Sequence, residues 1–74
     1  MTPQYEPRDF TAALGYLIEE CGEVLAAAGK TLRWGLSSVN PELPVSEQET
    51  NKAWLLREIK DVEAAIARVR RLMP

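Results

Sequence analysis

The sequence predicts an all-α fold: a two-helix hairpin that assembles as a dimer or higher oligomer into a four-helix-bundle-like architecture. Three observations predict it. Apolar residues recur at three- and four-residue steps over two long stretches. A segment rich in proline, glycine and serine separates those stretches, and no run has the two-residue period of a strand. The 74 residues make one small domain, and two helices cannot enclose a core, so a second copy is expected to supply the missing half.

Each element has its own signal. Residues 1–8 contain Pro3 and Pro7 and read as an extended arm. Asp9 or Thr11 is placed to cap a first helix spanning 9–33, whose stripe is Leu14, Leu17, Ile18, Cys21, Val24, Leu25, Ala28 and Leu32. Gly15, Gly22 and Gly29 stand seven residues apart along it. Each interior glycine costs a helix about 1 kcal/mol against alanine. A line of them would let another backbone come close, unless Gly29 is simply the helix C-cap. Residues 34–46 form the connecting loop. "SEQE" at 46–49 has the form of a capping box, with Ser46 accepting from the backbone of Glu49. The second helix is then expected over 47–72, burying Leu55, Leu56, Ile59, Val62, Ile66 and Val69.

Composition removes several function classes. With 46% hydrophobic residues the chain is too apolar for disorder. A net charge of -2 argues against binding a nucleic-acid polymer, which favours a basic face. There is no histidine, which excludes Ser-His-Asp and Cys-His catalysis and His-ligated metals. The one cysteine, Cys21, cannot make an internal disulfide or a thiolate zinc site, and its place in the apolar stripe reads as core packing. No membrane-length apolar run occurs and "MTPQYEPRDF" is not a signal peptide, so a cytoplasmic location is expected.

The chemistry lies in the acids. At about 100° per residue, Glu20 and Glu23 are about 60° apart on the first helix. Both sit at the margin of the apolar stripe, with Tyr16, Ala27, Lys30 and Trp34 on the same side and Glu19 further towards solvent. Glu58 and Asp61 repeat that spacing on the second helix, beside Asn51, Trp54, Ala65 and Arg68. If the helices pack antiparallel, the two pairs meet across one groove. Four carboxylates repel unless a cation sits between them, and hard oxygen ligands suit Mg²⁺ or Mn²⁺ with positions left for water and phosphate oxygens. Taken one at a time, such glutamates are more often solvated surface paired with the chain's nine lysines and arginines.

The strings "EECGE" at 19–23 and "EIKD" at 58–61 carry a resemblance. In this order, on two amphipathic helices, they resemble the MazG-like all-α nucleoside triphosphate pyrophosphohydrolases, over roughly residues 14–70. The resemblance implies a MazG-like dimer or dimer of dimers and Mg²⁺ held by Glu20, Glu23, Glu58 and Asp61. Glu19 and Glu20 would serve catalysis, with Glu19 assisting or positioning water. It also implies hydrolysis of a (d)NTP to a monophosphate and pyrophosphate. The chain departs from that family in the 34 residues between Glu23 and Glu58, a short proline-containing arm in place of a leading helix, and no counterpart of a later helix.

Six further residues are candidate nucleotide contacts. Lys30, Arg33 and Arg68 offer cations to phosphate, Trp34 and Tyr16 offer aromatic rings to a base, and Asn51 offers an amide to sugar or base. Against these stand ordinary packing roles, a hydrophobic lid for Trp34 and core packing for Trp54. "GKT" at 29–31 lacks the earlier glycine of a phosphate loop and is not one. The basic run "ARVRR" at 67–71 suits a helix C-terminus. The leading expectation is a nucleotide pyrophosphohydrolase. Its rivals are a non-catalytic protein that sequesters a nucleotide or cyclic nucleotide, as viral counter-defence proteins do, and a helical protein-interaction module.

Overall fold

The computed structural model describes residues 7–74, so most of the arm expected over 1–8 lies outside the described residues. They form an antiparallel hairpin of α1 (Phe10–Trp34) and α2 (Asn51–Leu72), joined by a loop containing one 3-10 turn (Val45–Glu47). No strand occurs among the described residues. The Cα atoms span 44 × 24 × 14 Å, a flat slab one helix layer deep.

Both helix starts are capped by side chains, but only one at the expected residue. Asp9 has extended backbone and its Oδ1 accepts from the amide of Ala12 at 2.8 Å, so the first cap is Asp9 and not Thr11. The expected capping box at Ser46 does not form. Residues 45–47 close a 3-10 turn behind Pro44, Gln48 returns to extended backbone, and Thr50 becomes the cap, its Oγ1 accepting from Ala53 at 3.1 Å. Helix α2 therefore starts at Asn51, four residues later than 47. A proline with fixed φ two residues before Ser46 commits that stretch to the loop.

Helix α1 ends at Gly35, not Gly29. Gly35 has φ +92°, a region that disfavours any side chain, and its amide donates to the Thr31 carbonyl at 2.8 Å. The chain then stitches the two helix ends together. Asn51 and Lys52 donate their amides to the carbonyls of Ser38 and Leu36, both at 2.9 Å. The Asn51 side chain, buried, donates to the carbonyls of Gly35 at 3.0 Å and Lys30 at 3.3 Å. One amide thus closes the C-terminus of α1 from the first turn of α2.

The packing seam differs from the expected one. Buried on α1 are Ala13, Tyr16, Glu20 and Ala27, and on α2 Asn51, Glu58, Ala65 and Val69. Acids placed at the margin of the packing face by periodicity are at its centre, flanked by alanines that let the backbones approach. The leucine and isoleucine stripe is turned aside by about 100° on α1. Ile18 is 73% exposed and Leu25 70%, and Leu56, Ile59 and Ile66, expected to be buried, also face outwards. Leu17, Cys21, Val24, Leu55 and Val62 are half-buried at the seam's edge. The glycine line does not serve contact with α2: a Cβ at Gly15, Gly22 or Gly29 would meet nothing within 4 Å.

If Asn51 ties the hairpin, Asn51→Ala should lower unfolding stability by about 1 kcal/mol, the net worth of the part-buried hydrogen bonds it makes to the Lys30 and Gly35 carbonyls. Urea unfolding followed by circular dichroism measures this, and an unchanged midpoint would contradict the role.

Candidate functional site

The seam brings acids of both helices to one point, about midway along the hairpin. Carboxylate oxygens of Glu20, Glu58 and Asp61 lie within 4.8 Å of one another. Glu20 and Glu58 are buried, 2% and 3% exposed, and Asp61 is half-buried. The three-residue steps put Glu23 and Asp61 on one side of the seam, while the aliphatic stripe occupies the other side.

Neighbouring side chains hold these acids. Tyr16, one turn before Glu20 and buried with it in the seam, sets its phenol beside that carboxylate. Burial, then that contact, then the charges of Glu20, Asp61 and Glu23 push the Tyr16 phenol far above its ordinary value, so it stays a protonated donor. Glu58 Oε1 accepts from Nη1 of Arg57 at 2.9 Å, while Nη2 of Arg57 reaches Glu49 at 2.6 Å. Glu58 Oε2 is buried with no hydrogen-bond partner among the described residues.

The charges at Glu58 do not balance. Desolvating a carboxylate costs on the order of several kcal/mol even after relaxation. The Arg57 side chain is 53% exposed, and a pair with one partner so solvated returns roughly 0–1 kcal/mol. The exposed Glu23 carboxyl is raised above the ordinary glutamate value, first by a hydrogen bond to Glu58, then by burial and the charges of Glu20 and Glu58. Two carboxyls attract one another only when one carries a proton, which is the direction of the Glu23 shift.

The donor set fits a hard divalent cation. It is all oxygen, two members are fully desolvated, and one buried oxygen lacks a donor. Opposed oxygens around one magnesium ion lie about 4.2 Å apart, so the three carboxylates, spread over as much as 4.8 Å, would have to draw in to close on an ion of that size. Glu20, Glu58 and Asp61 would hold such an ion, and Glu23, against Glu58, is the adjoining fourth acid.

The other expected residues divide between two places. Lys30, Trp34 and Asn51 line a cavity of about 740 Å³ formed by the end of α1, the loop and the start of α2. Asn51 already spends its amide on the hairpin. Arg33 is exposed in the last turn of α1 and is not among the cavity's lining residues. Glu19 is exposed on the turn that carries Glu20, and Arg68 is half-buried two turns beyond Asp61.

No family model, curated protein or solved structure matches the chain. What the site does is therefore argued from its own residues.

Arg57 has no signal in the sequence, and Trp54 has a place other than the core packing expected of it. Arg57 belongs to neither acid string, and its value as a brace for Glu58 depends on Glu49, eight residues earlier, being brought round by the turn before α2. Trp54, expected as core, also lines the cavity. Its four-residue step from Glu58, on the same side, was the available signal.

The raised value of Glu23 fixes a direction for pH dependence. A carboxyl with a raised folded value binds protons more tightly in the fold, so its stabilisation is complete below the ordinary 4.5 and is lost as pH rises through the folded value. With divalent ions chelated, urea midpoints should therefore drop across that window. Glu23→Gln should flatten the slope, and a slope identical to the parent's would contradict the shared proton.

Proposed function

We propose that the chain is a MazG-like, Mg²⁺-dependent nucleotide pyrophosphohydrolase that cleaves a (d)NTP or related nucleotide into a monophosphate and pyrophosphate. The observation that carries this reading is the convergence of Glu20, Glu58 and Asp61 from two helices, with Glu23 beside them, in the order and spacing of the "EECGE" and "EIKD" strings. A divalent ion held there would neutralise the phosphate chain and make a bound water a better nucleophile.

The chain's own residues have separable tasks. Tyr16 and Arg57 fix the orientation of Glu20 and Glu58, so the acids are set before substrate arrives. Glu19, exposed at the cluster's edge, positions the attacking water and accepts its proton. One water is consumed across the α–β anhydride bond, and pyrophosphate departs. Lys30 and Arg68 stand on opposite sides of the cluster, each seven residues or about 10 Å along its helix from Glu23 and Asp61 respectively. A nucleotide laid along the seam meets one cation near its sugar and the other near its terminal phosphates.

The working form in this proposal is a homodimer whose two slabs meet through their aliphatic faces as a four-helix bundle. Leu14, Ile18, Leu25, Leu56, Ile59 and Ile66 all face outwards on one chain. Ile18, Leu25 and Leu56 are more than half exposed among the described residues, and fully burying an aliphatic side chain is worth on the order of 1.5–3 kcal/mol. Glu23 and Asp61 lie on the other side and stay accessible in that assembly.

Incubation with a nucleotide panel and Mg²⁺ should release pyrophosphate, and Glu58→Gln or Asp61→Asn should reduce the rate by about 100-fold or more. The protein should sediment as a dimer, and Ile18→Glu should shift it to monomer. Tight retention of an unchanged nucleotide without metal would overturn the hydrolase in favour of sequestration. No response to any nucleotide would leave a helical interaction module.

A further inference from the structure

We infer that the cavity at the loop end of the hairpin is a nucleobase pocket, selective for bases that carry an exocyclic amino group. The inference rests on the nucleotide reading above and adds where the base goes and which bases are preferred. The cavity, about 740 Å³, falls within the range of small-molecule sites, about 300–1,000 Å³. Its lining includes both tryptophans of the chain, Trp34 and Trp54, on opposite helices. Trp34 is 61% exposed, an unusual state for an indole unless something planar is meant to cover it. Aromatic faces accept any base by stacking, so the rings supply affinity and the polar groups decide which base.

Among those polar groups Ser38 and Asn40 can donate or accept, and acids outnumber cations. Glu42, Glu47 and Glu49 place three carboxylates on the lining, against one cationic side chain, Lys30. The Asn51 amide is turned to the carbonyls of Lys30 and Gly35. Glu49 is braced by Arg57, which also holds Glu58, so one guanidinium links pocket and acid cluster. A wall of carboxylates accepts from the amino group of cytosine or adenine and repels the carbonyl oxygen that replaces it in uracil or hypoxanthine. A carboxylate-assisted hydrogen bond of that kind corresponds to discrimination of about tenfold or more.

Position gives the orientation. Trp54 precedes Glu58 by four residues, about 6 Å along α2, and Lys30 follows Glu23 by seven, about 10 Å along α1. A base in the cavity thus leaves its sugar near Lys30 and its phosphates at the acids, with Arg68 beyond them.

The test uses monophosphates, which bind without turnover. Calorimetry should give CMP at least tenfold tighter than UMP, and AMP at least tenfold tighter than IMP, with quenching of tryptophan fluorescence. Trp34→Ala, at an exposed position that leaves the helices intact by circular dichroism, should weaken CMP by about tenfold. Trp54→Phe should retain most of the affinity, and Glu47→Gln should narrow the CMP/UMP gap. Equal affinities for CMP and UMP would overturn the amino-group selectivity. Hydrolysis of inorganic tripolyphosphate as fast as of nucleotides, with KM unmoved by Trp34→Ala, would overturn the pocket while leaving the hydrolase standing. Selective CMP binding without any hydrolysis would uphold the pocket and sink the hydrolase.

Discussion

Two glutamates buried in the seam of a two-helix hairpin are the constraint on which the rest of the structure turns. A hairpin of this size has little apolar burial to spend, yet Glu20 and Glu58 are as desolvated as its alanines. Carboxylates in that position must be matched by protons or by cations. The fold sets a phenol beside Glu20 and a half-exposed guanidinium on Glu58, while the Glu23 carboxyl is raised by its contact with Glu58, by burial and by the charges of Glu20 and Glu58. The arrangement is costly as a structural core, and the proposed cation would offset that cost.

Several features follow from keeping acids in the seam. Small residues must flank them, and Ala13, Ala27 and Ala65 do so, letting the helices approach while the carboxylates meet. The larger aliphatic side chains are then displaced to a separate face, which makes association the natural way to bury them. The loop cannot be slack, because a slip of one helix past the other would part the acids. The Asn51 tie and the paired amides of Asn51 and Lys52 hold the register from the loop end.

Much of this was legible in the sequence, and the omissions have physical causes. Two helices, the Asp9 cap and the meeting of the acid pairs follow from periodicity, cap chemistry and antiparallel packing. Periodicity fails at the next level because it ranks faces by apolarity. It selected Leu14, Ile18 and Leu25 as the packing face, whereas the single chain packs through Ala13, Tyr16, Glu20 and Ala27. In the single chain the stronger apolar signal belongs to the face that the hairpin leaves open. The start of α2 was misplaced because Ser46 and Thr50 both offer a capping hydroxyl, and the 3-10 turn behind Pro44 decides between them. Arg57 was invisible because its role needs Glu49 folded back beside it.

The central claim is that Glu20, Glu58 and Asp61 surround one divalent cation between the helices. Crystals grown with Mn²⁺ and measured at the manganese absorption edge test it most directly. The account predicts one anomalous peak per chain, bonded to an oxygen of each of these three residues. Fully occupied manganese bound elsewhere, or none with the two buried glutamates swung out to solvent, would contradict it.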